Sequence, residues 1–165
     1  MTITKVSLSK IKAGGSTVTV VLECDNISIS YSKEIQDGKV GSINETAVDK
    51  TEPLDASRAR LTITISGVLG DGETDLFNGD DGDFNKLMGD DFGILRRKSG
   101  SSFPLLLNLD YGTSGSLFDQ WHDSAQNPGT FTVVCQNANF KVLPLASTYH
   151  QIAFTIELIR NTKKI

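Results

Sequence analysis

The chain is poor in most of what catalysis, export and ligand capture require. Its 165 residues include only two cysteines, Cys24 and Cys135. That is too few for a disulfide framework, so both are expected to be free thiols that behave as small apolar groups. Histidine is equally scarce: His122 lies beside Asp123 in a helical pattern, His150 stands alone, and neither has a serine or cysteine in a nucleophile setting. No G-x-S-x-G, P-loop, H-E-x-x-H or C-x-x-C spacing occurs. No catalytic, cofactor-binding or metal-ligating residue is therefore expected, and the chain reads as a non-enzyme. Aromatics make up 7%, with Trp121 the single tryptophan and Tyr31, Tyr111 and Tyr149 the tyrosines, thin material for a carbohydrate-stacking platform. Basic residues number 16 against 20 acidic ones, for a net charge of −4, which leaves no footprint for wrapping nucleic acid.

Long apolar runs are missing too. The opening MTITKVSLSKIKAGG alternates instead of forming a signal-peptide core, and nothing later approaches a membrane span. A cytoplasmic chain that leaves only by assembly or lysis is expected. The sequons at Asn26 and Asn44 then carry no meaning.

What the chain does have is alternation. In Arg58 to Leu69, Leu61, Ile63 and Ile65 alternate with Thr62, Thr64 and Ser66, the pattern of a central strand with one buried face. Val6 and Leu8 share a phase that Ile3 and Ile11 break, so the first strand is read with a bulge or an exposed edge. Val18, Val20 and Leu22 form a second strand, Cys24-Asp25-Asn26 a turn, and Ile27, Ile29 and Tyr31 a third. Phe103 to Asp110 is a short apolar strand. Phe131, Val133 and Cys135 precede a turn at Gln136 to Asn139, then Phe140 and Val142 return, and Tyr149 to Arg160 carries Ile152, Phe154, Ile156 and Leu158 in one phase. Seven or eight strands with almost no βαβ alternation predict a mainly β chain, a single domain over 1–165 built as an antiparallel β-sandwich or barrel with one or two short helices.

Two stretches break the pattern. Ser32 to Ser57 reads as a long loop whose apolar anchors Ile35, Val40, Ile43 and Val48 suit a segment ordered against a neighbouring copy. Gly70 to Asp91 holds eight of the twenty acidic residues against one lysine, Lys86. Asp80, Asp81 and Asp83 on a glycine-rich turn raise the question of calcium. The EF-hand pattern fails there, because Gly82 at its turn position puts Phe77 where the first carboxylate belongs. A solvated acidic loop is the expected reading. Phe84, Leu87 and Met88 at helical spacing predict a short helix packed across the end of the β core, and Ser114 to Ala125 reads as another, with Ser116 as N-cap and Asp119 at the capping-box position. Arg96, Arg97 and Lys98 then set a basic cluster beside the acidic one, a pairing suited either to a solvated turn or to contact between copies.

The order of these pieces resembles the tube and baseplate-adaptor proteins of tailed-virus tails and related contractile injection systems. The resemblance rests on an N-terminal β-hairpin, a long loop, the strand LTITISGVL, a helix-bearing excursion, and TFTVVCQNANFKVLPLA followed by HQIAFTIELIR. It spans most of the chain, but the acidic loop and the helix around Trp121 have no counterpart in the pattern. It implies a non-enzymatic virion structural protein that self-assembles into homo-oligomeric rings, commonly hexameric, stacked into a tail tube. Nucleic acid or an injected effector passes through as cargo, sheath or baseplate proteins are possible partners, and the location is a virion tail or the cytoplasm where it assembles. An acidic bias suits a channel that must not hold a passing polyanion. A rival expectation from the strand count and acidic loop alone is a β-sandwich binding module for carbohydrate or protein, with calcium in the Asp80 to Asp83 turn.

Overall fold

The computed structural model describes residues 4–11, 15–39, 51–69, 82–89, 93–96, 104–111, 129–144 and 150–162. Six strands and one helix occupy them: β1 (Thr4–Ile11), β2 (Thr17–Lys39), β3 (Thr51–Leu69), α1 (Asp83–Met88), β4 (Leu105–Asn108), β5 (Thr130–Pro144) and β6 (His150–Thr162). The strands close a barrel in the order β1-β2-β3-β6-β5-β4, and every neighbouring pair is antiparallel. The mainly β reading holds, and of sandwich and barrel the structure is the barrel.

Alternation explains the core. Val6 and Leu8, Val20 and Leu22, Ile63 and Ile65, Leu105 and Leu107, Phe131 and Val133, and Ile152 to Leu158 at every second position all point inward and are buried. The residues between them lie on the opposite face, where Ser7 and Ile159 are nonetheless buried. Ile11, out of phase in the sequence, is indeed 38% exposed. Lys10 shares the inward face of β1 and is buried, a costly placement for an ammonium unless it is partnered. Among the described residues no buried side-chain nitrogen or oxygen lacks a hydrogen-bond partner. Arg160, also inward, lays its guanidinium 4.7 Å from the centre of the buried Phe131 ring.

Several sequence expectations need correction. Cys24-Asp25-Asn26 and Gln136 to Asn139 are not turns: β2 and β5 run straight through them, each with a bulge, between Cys24 and Asn26 and between Cys135 and Asn137. One extra residue flips the side-chain phase, which is why Cys24 and then Ile27 both face inward. Merging each pair reduces the strand count to six. The expected loop at 32–57 is strand for much of its length, since Ile35 to Lys39 pairs with Asp55 to Thr51. Residues 40–50 lie outside the described ones, as does the helix expected at 114–125.

The helix α1 forms where Phe84, Leu87 and Met88 called for it. Leu87 is fully buried, Phe84 and Met88 pack on the core, and Phe84 meets Phe140 of β5 edge to face at 5.2 Å. A six-residue helix leaves its last four carbonyls without helical partners. Here each finds one: Gly89 N–H donates to Asn85, Ile94 N–H to Lys86, Leu95 N–H to Leu87, and the Arg96 guanidinium to Met88. The chain folds back tightly enough that a Cβ on Gly93 would strike the Gly89 carbonyl. Arg96 thus serves its own helix. Arg97 and Lys98 lie outside the described residues.

Candidate assembly interface

Mismatched strand lengths create the feature that sets this barrel apart. β2 has 23 residues, but β1 covers only Thr17 to Cys24 of it. β5 has 15, and β4 covers only Thr130 to Val133. Among the described residues, β2 beyond its bulge therefore has β3 on one side and no strand on the other, and β5 beyond its bulge has only β6. Each bulge sits where its strand parts from the short neighbour, the place where added twist swings a strand away. The result is a four-stranded sheet, β2-β3-β6-β5, with an edge at each margin that no described strand covers.

Both margins carry apolar side chains past the core. Ile27, Ile29 and Tyr31 share the inner face with their partners Ile65, Ile63 and Leu61, yet exposure climbs to 41% at Ile29 and 58% at Tyr31. At the other margin Phe140 packs on the core, whereas Val142, opposite the buried Ile152, is 51% exposed. Unpaired edges with exposed apolar residues are the features through which strands recruit other chains. Past Lys33, β2 and β3 continue as a two-stranded arm, reaching about 20 Å further at roughly 3.3 Å per residue.

The opposite face of the sheet is different in kind. Asn26, Ser28, Ser30 and Ser32 of β2 lie opposite Ser66, Thr64, Thr62 and Arg60 of β3, and the Ser66 hydroxyl donates to Asp25 in the bulge at 3.3 Å. Across β6 and β5 the row of Ser30 and Thr62 continues into the buried Ile159 and the exposed Val134.

The thiols are free, Cys24 buried and Cys135 half-buried, each beside a bulge. Burial, with the Asp25 charge adding to it, pushes the Cys24 thiol from an ordinary 9.0 up to about 12. Burial and then Glu157 raise Cys135 in the same direction. A raised folded value means the unfolded chain ionises first, so the contribution is fully present below about pH 9 and is lost as pH climbs toward 12. We expect thiol titration to find two groups after unfolding and fewer in the native protein, with Cys24→Ala flattening the alkaline fall in stability. Two reactive native thiols, or a mass two hydrogens short, would contradict this placement.

Asp83 opens α1, while Asp80, Asp81, His122 and Trp121 lie outside the described residues, and His150 begins β6. Of these only Asp83 and His150 are described, and they begin separate elements. No group of three or more histidine, cysteine, aspartate or glutamate side chains that could hold a metal occurs among the described residues. Millimolar calcium is expected to leave the melting temperature unchanged; a rise of several degrees would favour the calcium-dependent binding module. No described helix is long and apolar enough to cross a membrane. No protein-family model matches the chain, and no curated protein matches it either. The long segment with apolar anchors gave a partial signal for the β2 edge, whereas the first strand, read with a bulge or an exposed edge, pairs with β2 without a register shift and with β4 along Ser7 to Lys10.

Proposed function

We propose that the chain is a structural subunit that joins copies of itself edge to edge into rings, and that stacked rings form the tube of a virus tail or injection machine. The observation that carries this reading is the pair of edges, on opposite margins of one four-stranded antiparallel sheet, that no described strand covers. Four is even, so β2 and β5 run in opposite directions, and β2 of one copy against β5 of the next continues the antiparallel alternation. Contact between two different surfaces repeats head to tail and closes into a ring when the rotation allows.

Geometry favours closure. Ser30 lies level with Val134 across the sheet, whereas the part of β5 beyond its bulge centres near Phe140, five positions further along β6, so the neighbour shifts about 17 Å along the strands, at roughly 3.3 Å per residue. Four strands are about 19 Å wide. The two lengths give a strand tilt of about 40°, within the range of closed barrels. Six copies, the number the resemblance implies, would make a ring about 50 Å across at the backbone. The β2–β3 arm is the element free to reach an adjoining copy.

The test removes Gln36 to Glu52 and bridges the gap with a short Gly-Ser linker. Pairing of β3 with β6 starts at Ala59, so the barrel does not depend on the arm. Circular dichroism should keep its β signal while light scattering shows higher oligomers lost; unchanged oligomers would remove the arm from the assembly.

A further inference from the structure

A sheet continues across a joint only when residues directly opposite each other lie on the same face, and a slip of one residue puts every side chain on the wrong one. Past its bulge, β2 gives the inner face its odd positions, Ile27, Ile29 and Tyr31, opposite the buried Ile65, Ile63 and Leu61. Past its own bulge, β5 gives that face its even positions, Ala138, Phe140 and Val142, opposite the buried Ile156, Phe154 and Ile152. Centring the two margins on each other would set Ser30 against Phe140, an outer side chain against an inner one. The pairing must therefore step by one residue. One step sets Tyr31 opposite Phe140 and Ile29 opposite Val142; the other sets Ile29 opposite Phe140 and Tyr31 opposite Ala138.

We propose that the joint takes the first of these registers, and that α1 belongs to it. The inference rests on the assembly reading and adds the residue pairing and a role for the helix. Ile29, Tyr31 and Val142 are the exposed members of the six inner positions, and in this register each meets a large apolar partner. The other register leaves Tyr31, the most exposed of them, against the methyl group of Ala138. Aromatic pairs and β-branched pairs across strands are the stabilising kind. Phe140 is already one half of an aromatic pair, because Phe84 of α1 meets it edge to face at 5.2 Å. Both rings are half-buried and keep part of their surface open. The fully buried Leu87 and contact with β2 of the same chain anchor α1, so Phe84 fixes the Phe140 ring before a neighbour arrives. A ring held in place loses less freedom on binding than a mobile one. Phe84 is thus a positioning residue for Phe140, and Tyr31 of the next copy is the anchor that Phe140 receives. On the outer face the same register sets the exposed Ser30 opposite the exposed Lys141.

The experiment uses the full chain carrying Cys135→Ser, with Cys24 left buried, and adds one cysteine to each margin on the outer face. In Ser30→Cys/Lys141→Cys the two lie directly opposite across the joint in the proposed register; in Ser30→Cys/Asn139→Cys they do so in the other one. Directly opposite Cβ atoms are about 5 Å apart and diagonal ones roughly 7 Å, so only the former suit a disulfide. Within one chain neither pair can close, since β3 and β6 separate Ser30 from β5. Mild oxidation of assembled particles should give the Lys141 pair a ladder of covalent oligomers on a non-reducing gel, and the Asn139 pair little of it. An equal or stronger ladder from the Asn139 pair overturns the register while leaving edge joining intact, and particles that ladder with neither overturn the joint between these margins. Failure of the unmodified chain to form particles overturns the assembly reading itself. For the helix, Tyr31→Ala and Phe84→Leu should each raise the concentration at which particles form about fivefold. Tyr31→Phe, which keeps the ring, should not, and the double variant should fall well short of the product of the two effects. Circular dichroism should show the same β content throughout. Effects that simply multiply would detach α1 from the joint.

Discussion

Replacing Gly67 by alanine should destabilise the protein by about 3 kcal/mol, the upper end of what overpacking costs. Gly67 lies on β3 directly opposite Cys24, at the bulge where β2 leaves β1. A Cβ there would run into the Glu23 carbonyl oxygen and press on the Cys24 backbone. Backbone atoms in a paired strand cannot swing aside as a side chain would, so relief requires the bulge to open, and with it the close packing of Cys24 and Leu22 in the core. Urea unfolding should show a lower midpoint at unchanged slope. Gly15 offers the contrast: its φ of +88° is one that glycine adopts freely, but a Cβ there meets nothing within 4 Å. Alanine at Gly15 should cost only the left-handed backbone, about 1 kcal/mol. Equal effects at the two positions would mean that the bulge does not press on β3.

Gly67 also marks the limit of what could be read in advance. The strand around it was legible, because burying one face forces Leu61, Ile63 and Ile65 into alternation. Its meeting with β2 was not, since a close backbone approach depends on a partner some forty residues away in the chain, although a lone glycine inside a strand pattern is a known sign of one. The bulges hid for a related reason. Asp25-Asn26 and Gln136-Asn137 put polar residues between two alternating runs, as a hairpin turn does, but neither contains the glycine that a two-residue hairpin usually needs. That lack, together with the phase change from Cys24 to Ile27, was the available signal. The arm went unread because ladder bonds between two strands are made by the backbone, which leaves no mark on side-chain alternation. α1 was readable from Phe84, Leu87 and Met88 because a helix on a core must present a stripe. Barrel closure turns on the four-residue β4 pairing with β1, a long-range match that no local pattern announces. The free edges follow from that shortness, and so the candidate interface became visible only with the topology.

The second large effect concerns those edges. Ile29→Lys with Tyr31→Lys places two charges on the margin of β2, at side chains already 41% and 58% exposed. Exposed substitutions usually change stability by no more than about 0.5 kcal/mol, so the barrel should survive. Edge lysines block strand addition because a neighbouring strand would have to bury them. Val142→Lys should do the same at the β5 margin. Because the joint is between different edges, each variant keeps one competent margin, and a mixture of the two should stop at dimers rather than recover rings.

The most direct measurement is electron microscopy of the purified full chain at high concentration, beside the Ile29→Lys/Tyr31→Lys variant, with light scattering on the same samples. Edge-to-edge assembly predicts rings or tubes from the parent chain and monomers of unchanged β content from the variant. A parent chain that remains monomeric, or a variant that builds the same particles, would contradict it.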